Sequence, residues 1–123
     1  MYMKKFVCVI LLAVCCLSTQ AQNISYVEST RSWYYIYDEG GKKIGSLSSN
    51  VGELVGFGTE FLIVKTNSWY YLYDGKGRKL KALSRSSIGE VVAVTGKTFT
   101  SRMGTWLYTW DKDGKKISTR SAH

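Results

Sequence analysis

Apolar and polar positions alternate with a period of two over most of this chain. The alternation recurs in units of about 36 residues. Trp33-Tyr34-Tyr35-Ile36-Tyr37-Asp38 returns as Trp69-Tyr70-Tyr71-Leu72-Tyr73-Asp74 and again as Trp106-Leu107-Tyr108-Thr109-Trp110-Asp111, at spacings of 36 and 37. Between 33–48 and 69–84, nine of sixteen positions are identical. A fixed period of this length marks a repeat architecture, with one supersecondary unit per repeat. Within each Trp segment, Trp33, Tyr35 and Tyr37 share one face and Tyr34 and Ile36 the other, as a strand requires. Aromatic and β-branched enrichment supports a strand over a helical turn.

Each Trp strand runs into Asp-x-x-Gly: Asp38 to Gly41, Asp74 to Gly77 and Asp111 to Gly114. Asp at the first place can bond the turn's own backbone, and Gly at the fourth accepts positive φ. This predicts a tight hairpin into a basic strand such as 79–83. Two further strands fill each interval. Residues 52–57 match 89–94, while 61–64 match 98–101 and 25–28. The unit therefore reads as four strands, and the chain as eleven, with no helix after residue 21. The fold class predicted is all-β and antiparallel, built from three tandem four-stranded blade-like repeats. A β-trefoil-like barrel and an open curved sheet are the alternatives. Gly56 and Ala93 would let the innermost strands of neighbouring units approach closely.

The four-strand grading resembles a β-propeller blade. The Trp/Tyr-Asp-x-x-Gly-Lys pattern is similar to the short repeats of bacterial secreted β-repeat proteins. That resemblance implies a fold and carries no activity with it. It also implies a closure problem, since propellers have four to eight blades. Two chains could combine into a six-bladed ring, which makes a homo-oligomer one expectation.

The first 21 residues read as a signal peptide. Lys4 and Lys5 precede an apolar run from Phe6 to Leu17, and small residues lead to a cut after Ala21. The run is too short to span a membrane, which takes about 20 residues, and no later segment is a transmembrane candidate. The expected product, residues 22–123, is a single β-repeat domain, exported to the periplasm or beyond the cell. Cys8, Cys15 and Cys16 all lie in the leader, so that product has no thiol. Val14 before Cys15 departs from the small residue a lipid-anchoring site needs, which argues against an anchor there.

Charge and chemistry narrow the function further. The full chain carries 17 Lys and Arg against 9 Asp and Glu, a net charge of +8. Its single His is His123, so Ser-His and Cys-His schemes have no base. Asp38, Asp74 and Asp111 are turn residues, and Glu53 and Glu90 are repeat equivalents, a structural pattern rather than a catalytic one. Asp111-Lys112-Asp113-Gly114 resembles a fragment of a calcium loop but lacks its distal Glu and is crowded by Lys. No catalytic residue, metal ligand or cofactor is expected. The basic strands read first as an edge guarded against pairing, and second as attraction to anionic surfaces; export argues against nucleic acid.

The aromatic stripe is the remaining candidate. Trp33, Tyr35, Trp69, Tyr71, Trp106 and Tyr108 form the candidate ligand-binding set, since exposed rings suit sugar rings or a partner. Buried, the same rings would be core between units. The function expected is a secreted, non-catalytic binding module for an extracellular or envelope ligand such as glycan. The alternative is a structural or protein-interaction domain with no small-molecule ligand.

Overall fold

The structure is a computed structural model, and it describes residues 23–122. The leader expected at 1–21, its cleavage site and Cys15, and His123 all lie outside the described residues.

Eleven strands form three separate antiparallel sheets. The first sheet holds β1 (Ile24–Ser29), β2 (Trp33–Asp38) and β3 (Lys43–Ser48). The second holds β4 (Glu53–Phe57), β5 (Leu62–Lys65), β6 (Trp69–Tyr73) and β7 (Lys79–Ser84). The third holds β8 (Glu90–Thr95), β9 (Thr98–Met103), β10 (Trp106–Asp111) and β11 (Lys116–Ser121). Strand order follows chain order in every sheet, so each unit is a meander. The sheets neither merge into one curved sheet nor close into a trefoil barrel; the blade-like reading is the one observed.

The Asp-x-x-Gly hairpins form as their residues require. Asp38 Oδ1 accepts from the Gly40 and Lys42 backbone N–H groups at 2.9 Å, and Asp74 and Asp111 do the same in their turns. Gly41, Gly77 and Gly114 take φ of 81°, 84° and 79°, a region costly for any residue with a Cβ. A β-bulge follows each turn, with Ile44, Leu80 and Ile117 as the unpaired residue.

Strand alternation decides how the sheets stack. Tyr34 and Ile36 join Val27 and Leu47 on one face of the first sheet, and these pack on Leu62, Val64 and Tyr73 of the second. The other face of the second sheet presents Ile63, Tyr70 and Leu72, which pack on Phe99 of the third. The second sheet is therefore covered on both sides. Ile36, Leu62, Ile63, Val64 and Leu72 are fully buried, each contributing about 1.5–3 kcal/mol. Gly56 approaches as expected: a Cβ there would sit 3.1 Å from Val94 Cγ2. Ala93, by contrast, is exposed, because among the described residues no fourth sheet lies beyond it.

The expectation of no helix after residue 21 needs correction. A 3-10 turn (Ser49–Val51) joins the first sheet to the second, and a four-residue α-helical turn (Arg85–Ile88) joins the second to the third. The added residue in the second link accounts for the spacing of 37 against 36. It lets Ile88 drop into the core at 2% exposure, where the shorter link leaves Val51 half-buried.

A buried tyrosine stitches each sheet to the next. Tyr34 Oη donates to the Gly52 carbonyl at 2.7 Å and accepts from the Leu54 N–H at 3.2 Å. Tyr70 Oη accepts from the Val91 N–H at 3.0 Å. The equivalent residue in the third sheet is Leu107, which has no hydroxyl, and among the described residues no further sheet lies beside it to bond. Its neighbours change with it. Val27, Ile36 and Leu47 of the first sheet, and Ile63, Leu72 and Leu83 of the second, correspond by register to Thr100, Thr109 and Arg120. The third sheet thus turns a more polar face outward than the first two present at the same positions.

Candidate functional site

The site is built from the first residue of β2, β6 and β10, the equivalent strand of each unit. In the first two units a Thr-x-Ser-Trp turn places it. Trp33 N–H donates to Thr30 Oγ1 at 3.0 Å, and Trp69 N–H donates to Thr66 Oγ1 at 3.2 Å. In the third unit Gly104, at φ 62°, makes the turn instead. The three tryptophans sit at the sheet edge where the inter-sheet links leave, and they remain 43%, 42% and 49% exposed.

Two residues along, Tyr35 and Tyr71 lie parallel to their tryptophans, with ring centroids 6.4 Å apart in both units. That is close to the same-face spacing of about 6.7 Å along a strand, so the stack follows from backbone geometry. On the far side of each tyrosine lies a lysine from the next strand. Lys43 Nζ is 4.7 Å from the Tyr35 ring, Lys79 Nζ 4.5 Å from Tyr71, and Lys116 Nζ 4.4 Å from Tyr108. The third unit departs from this: Tyr108 meets Trp110 edge-on at 6.1 Å rather than stacking on Trp106, and Lys116 Nζ also lies 5.9 Å from the Trp110 ring. Each cation–π contact is worth about 0.5–1 kcal/mol at an exposed site.

The six candidate residues therefore do not form one continuous platform. Trp33 and Tyr35 lie on the outward face of the first sheet. Tyr71 packs against the core between the first and second sheets, and Tyr108 is half-buried on the face of the third sheet that turns to the second. Trp69 and Trp106 emerge at the edge of the stack. The stripe is thus partly core and partly surface, divided by position along each strand.

The first sheet adds residues that the repeat pattern alone does not single out. Tyr26 is 57% exposed on the same face, with its ring 6.3 Å from Tyr37. Tyr37 Oη donates to Glu28 Oε1 at 3.0 Å. That bond to the carboxylate, with a smaller contribution from desolvation and the nearby charge, holds the Tyr37 hydroxyl above the ordinary tyrosine range. In the second sheet Leu62 and Val64 stand where Tyr26 and Glu28 stand in the first. The face that is covered in the second sheet is thus made more polar in the first while its rings are kept. The lysines leave one trace in the sequence: each follows its tyrosine by eight residues, an interval that strand pairing turns into a contact.

The carboxylates have other partners. Asp38, Asp74 and Asp111 are engaged by their own turns. Glu53 and Glu90 stand opposite Lys65 and Arg102 in register, an arrangement that favours strand pairing. Among the described residues, no three His, Cys, Asp or Glu side chains gather as metal ligands would. No helix among the described residues is long and apolar enough to cross a membrane. Neither a protein-family model nor a curated protein nor a solved structure matches the chain.

Proposed function

We propose that the chain is an exported, non-catalytic β-repeat protein that binds carbohydrate through its tryptophan edge and the outward aromatic face of its first sheet. The observation that carries this reading is the exposure of Trp33, Trp69 and Trp106 at one position of three successive units. A chain of this size needs its large rings inside. It buries Tyr34, Tyr70, Phe61 and Phe99 but leaves the tryptophans open. Flat rings with open faces suit the apolar faces of sugars, and the neighbouring Glu28, Lys43 and tyrosine hydroxyls suit their hydroxyl groups.

The test is binding to a panel of soluble polysaccharides by affinity electrophoresis, with a Trp33→Ala, Trp69→Ala, Trp106→Ala variant beside the wild type. Retarded wild type and unretarded variant, with matching circular dichroism, support the reading. Equal mobility of the two on every polysaccharide sinks it. A second reading, a protein-interaction domain, is favoured by one observation: the outward face of the first sheet keeps Trp33, Tyr35 and Tyr37, whose counterparts in the second sheet lie on the face that packs against a neighbouring sheet. A partner chain covering that face would appear as a larger molar mass in light scattering.

A further inference from the structure

We propose that the three Trp–Tyr–Lys groups are subsites for one acidic glycan that runs across the edges of all three sheets. This rests on the carbohydrate reading above and adds the charge and reach of the ligand. The argument begins with the lysines. Lys43, Lys79 and Lys116 are each held over a tyrosine ring. The ion pairs among the described residues are Arg78 with Asp74, and Glu60 with Lys97 and Lys112. The three ring-bound ammonium groups take part in none of them. Each is therefore oriented by a π-face and has no counter-ion among the described residues, which leaves its charge for a ligand.

Repetition makes the charges act together. Stacked sheets lie about 10 Å apart, and the Debye length at moderate salt is about 8–10 Å. At that spacing, equivalent lysines on neighbouring sheets would overlap in their fields, and a polyanion would meet them together. Residues 22–123 carry 15 Lys and Arg against 9 Asp and Glu, and this net charge of +6 adds to the attraction. The tryptophans, one ring along from the ammonium groups, supply stacking that a bare anion would not use. Glu28, on the outward face, adds a carboxylate oxygen beside the Tyr37 hydroxyl that can accept from sugar hydroxyls.

The experiment uses the protein purified after export, titrated by calorimetry with four probes: polygalacturonate, the same polymer fully methyl-esterified, chondroitin sulfate, and a single-stranded DNA oligonucleotide. We expect an acidic glycan to bind at least tenfold tighter than the ester. That difference should shrink at high salt and vanish in a Lys43→Gln, Lys79→Gln, Lys116→Gln variant. Equal binding of acid and ester would overturn the acidic assignment and leave the carbohydrate reading standing. DNA binding as tight as the best glycan would overturn the assignment in favour of a general basic surface. Failure of all three glycans to bind would overturn both. The comparison of acid with ester needs no variant, so a variant that misfolds leaves the test intact.

Discussion

The tyrosine stitch between sheets can be tested by removing single oxygen atoms. Tyr70 is 1% exposed, and its hydroxyl accepts from the Val91 N–H at 3.0 Å. Tyr70→Phe keeps the ring and its packing but strands that N–H at a half-buried bulge. Leaving a buried donor unsatisfied costs about 1–3 kcal/mol. Partial solvent access at Val91 places this case near the lower end, about 1–2 kcal/mol. For a domain of about 100 residues each kcal/mol lowers Tm by about 4–8 °C, so a loss of roughly 5–15 °C is expected. Tyr34→Phe should cost more, because Tyr34 Oη serves both the Gly52 carbonyl and the Leu54 N–H. Leu107→Tyr is the control: among the described residues no further sheet packs on that face, so a new hydroxyl there gains no partner and should change stability by less than about 0.5 kcal/mol. The assay is urea denaturation followed by circular dichroism and tryptophan fluorescence together, which also checks that the transition is two-state. If Tyr70→Phe proved as stable as wild type, or Leu107→Tyr shifted the midpoint as much as Tyr34→Phe, the stitch would not be what couples the sheets.

Three further outcomes are expected. Gly77→Ala should destabilise more than Gly41→Ala: both positions have positive φ, a strain of about 1–2 kcal/mol for Ala, but only at Gly77 would the Cβ fall 2.6 Å from the Ser46 carbonyl oxygen. Equal urea midpoints for the two variants would refute that contact. Burial pushes the Asp74 carboxyl up, but hydrogen bonds from the Arg78 backbone and guanidinium and from the Lys76 N–H outweigh it and hold the group below the usual carboxylate range. Its contribution is thus present above the unfolded carboxylate pKa of about 3.9 and lost as pH falls through the lower folded value. Asp74→Asn should therefore cost stability at neutral pH and little in strong acid, and a pH-independent difference in urea midpoint would refute this. Intact mass of the exported protein should correspond to a chain beginning at Gln22; a lipid-modified mass beginning at Cys15 would show an anchor instead.

Most of the fold was legible because its signals are local. Strand alternation, the Asp-x-x-Gly turns and the repeat spacing each act within a few residues, and all eleven strands fall where those signals put them. The division of the aromatic stripe was not legible in this way. Trp69 and Tyr71 share a face, and alternation assigns them one environment. The structure gives them two, because the first sheet covers Tyr71 and leaves Trp69 beyond its edge. How far one sheet overlaps the next depends on the packing of whole sheets, which no local pattern reports. The lysine contacts were hidden for a similar reason: the eight-residue interval from Tyr35 to Lys43 acquires meaning only once the bulge at Ile44 fixes the register of β2 against β3.

The ends of the stack bear on how three units suffice. A six-bladed ring from two chains would press the third sheet of one copy onto the first sheet of the other, with the packing that joins the first sheet to the second. That packing uses Tyr34, Ile36, Val27 and Leu47 on the donor face. The third sheet offers Leu107, Thr109, Thr100 and Arg120 there. Three buried aliphatic side chains are replaced by two hydroxyls and a guanidinium, and the hydroxyl that bonds the next sheet is gone. Burying that face would forgo several kcal/mol of apolar transfer and leave polar groups to be paired. The third sheet is built to face water, whereas the first keeps its rings. The two exposed faces therefore differ in character, and closing such a ring would bury Thr100, Thr109 and Arg120 against the aromatic face of the first sheet.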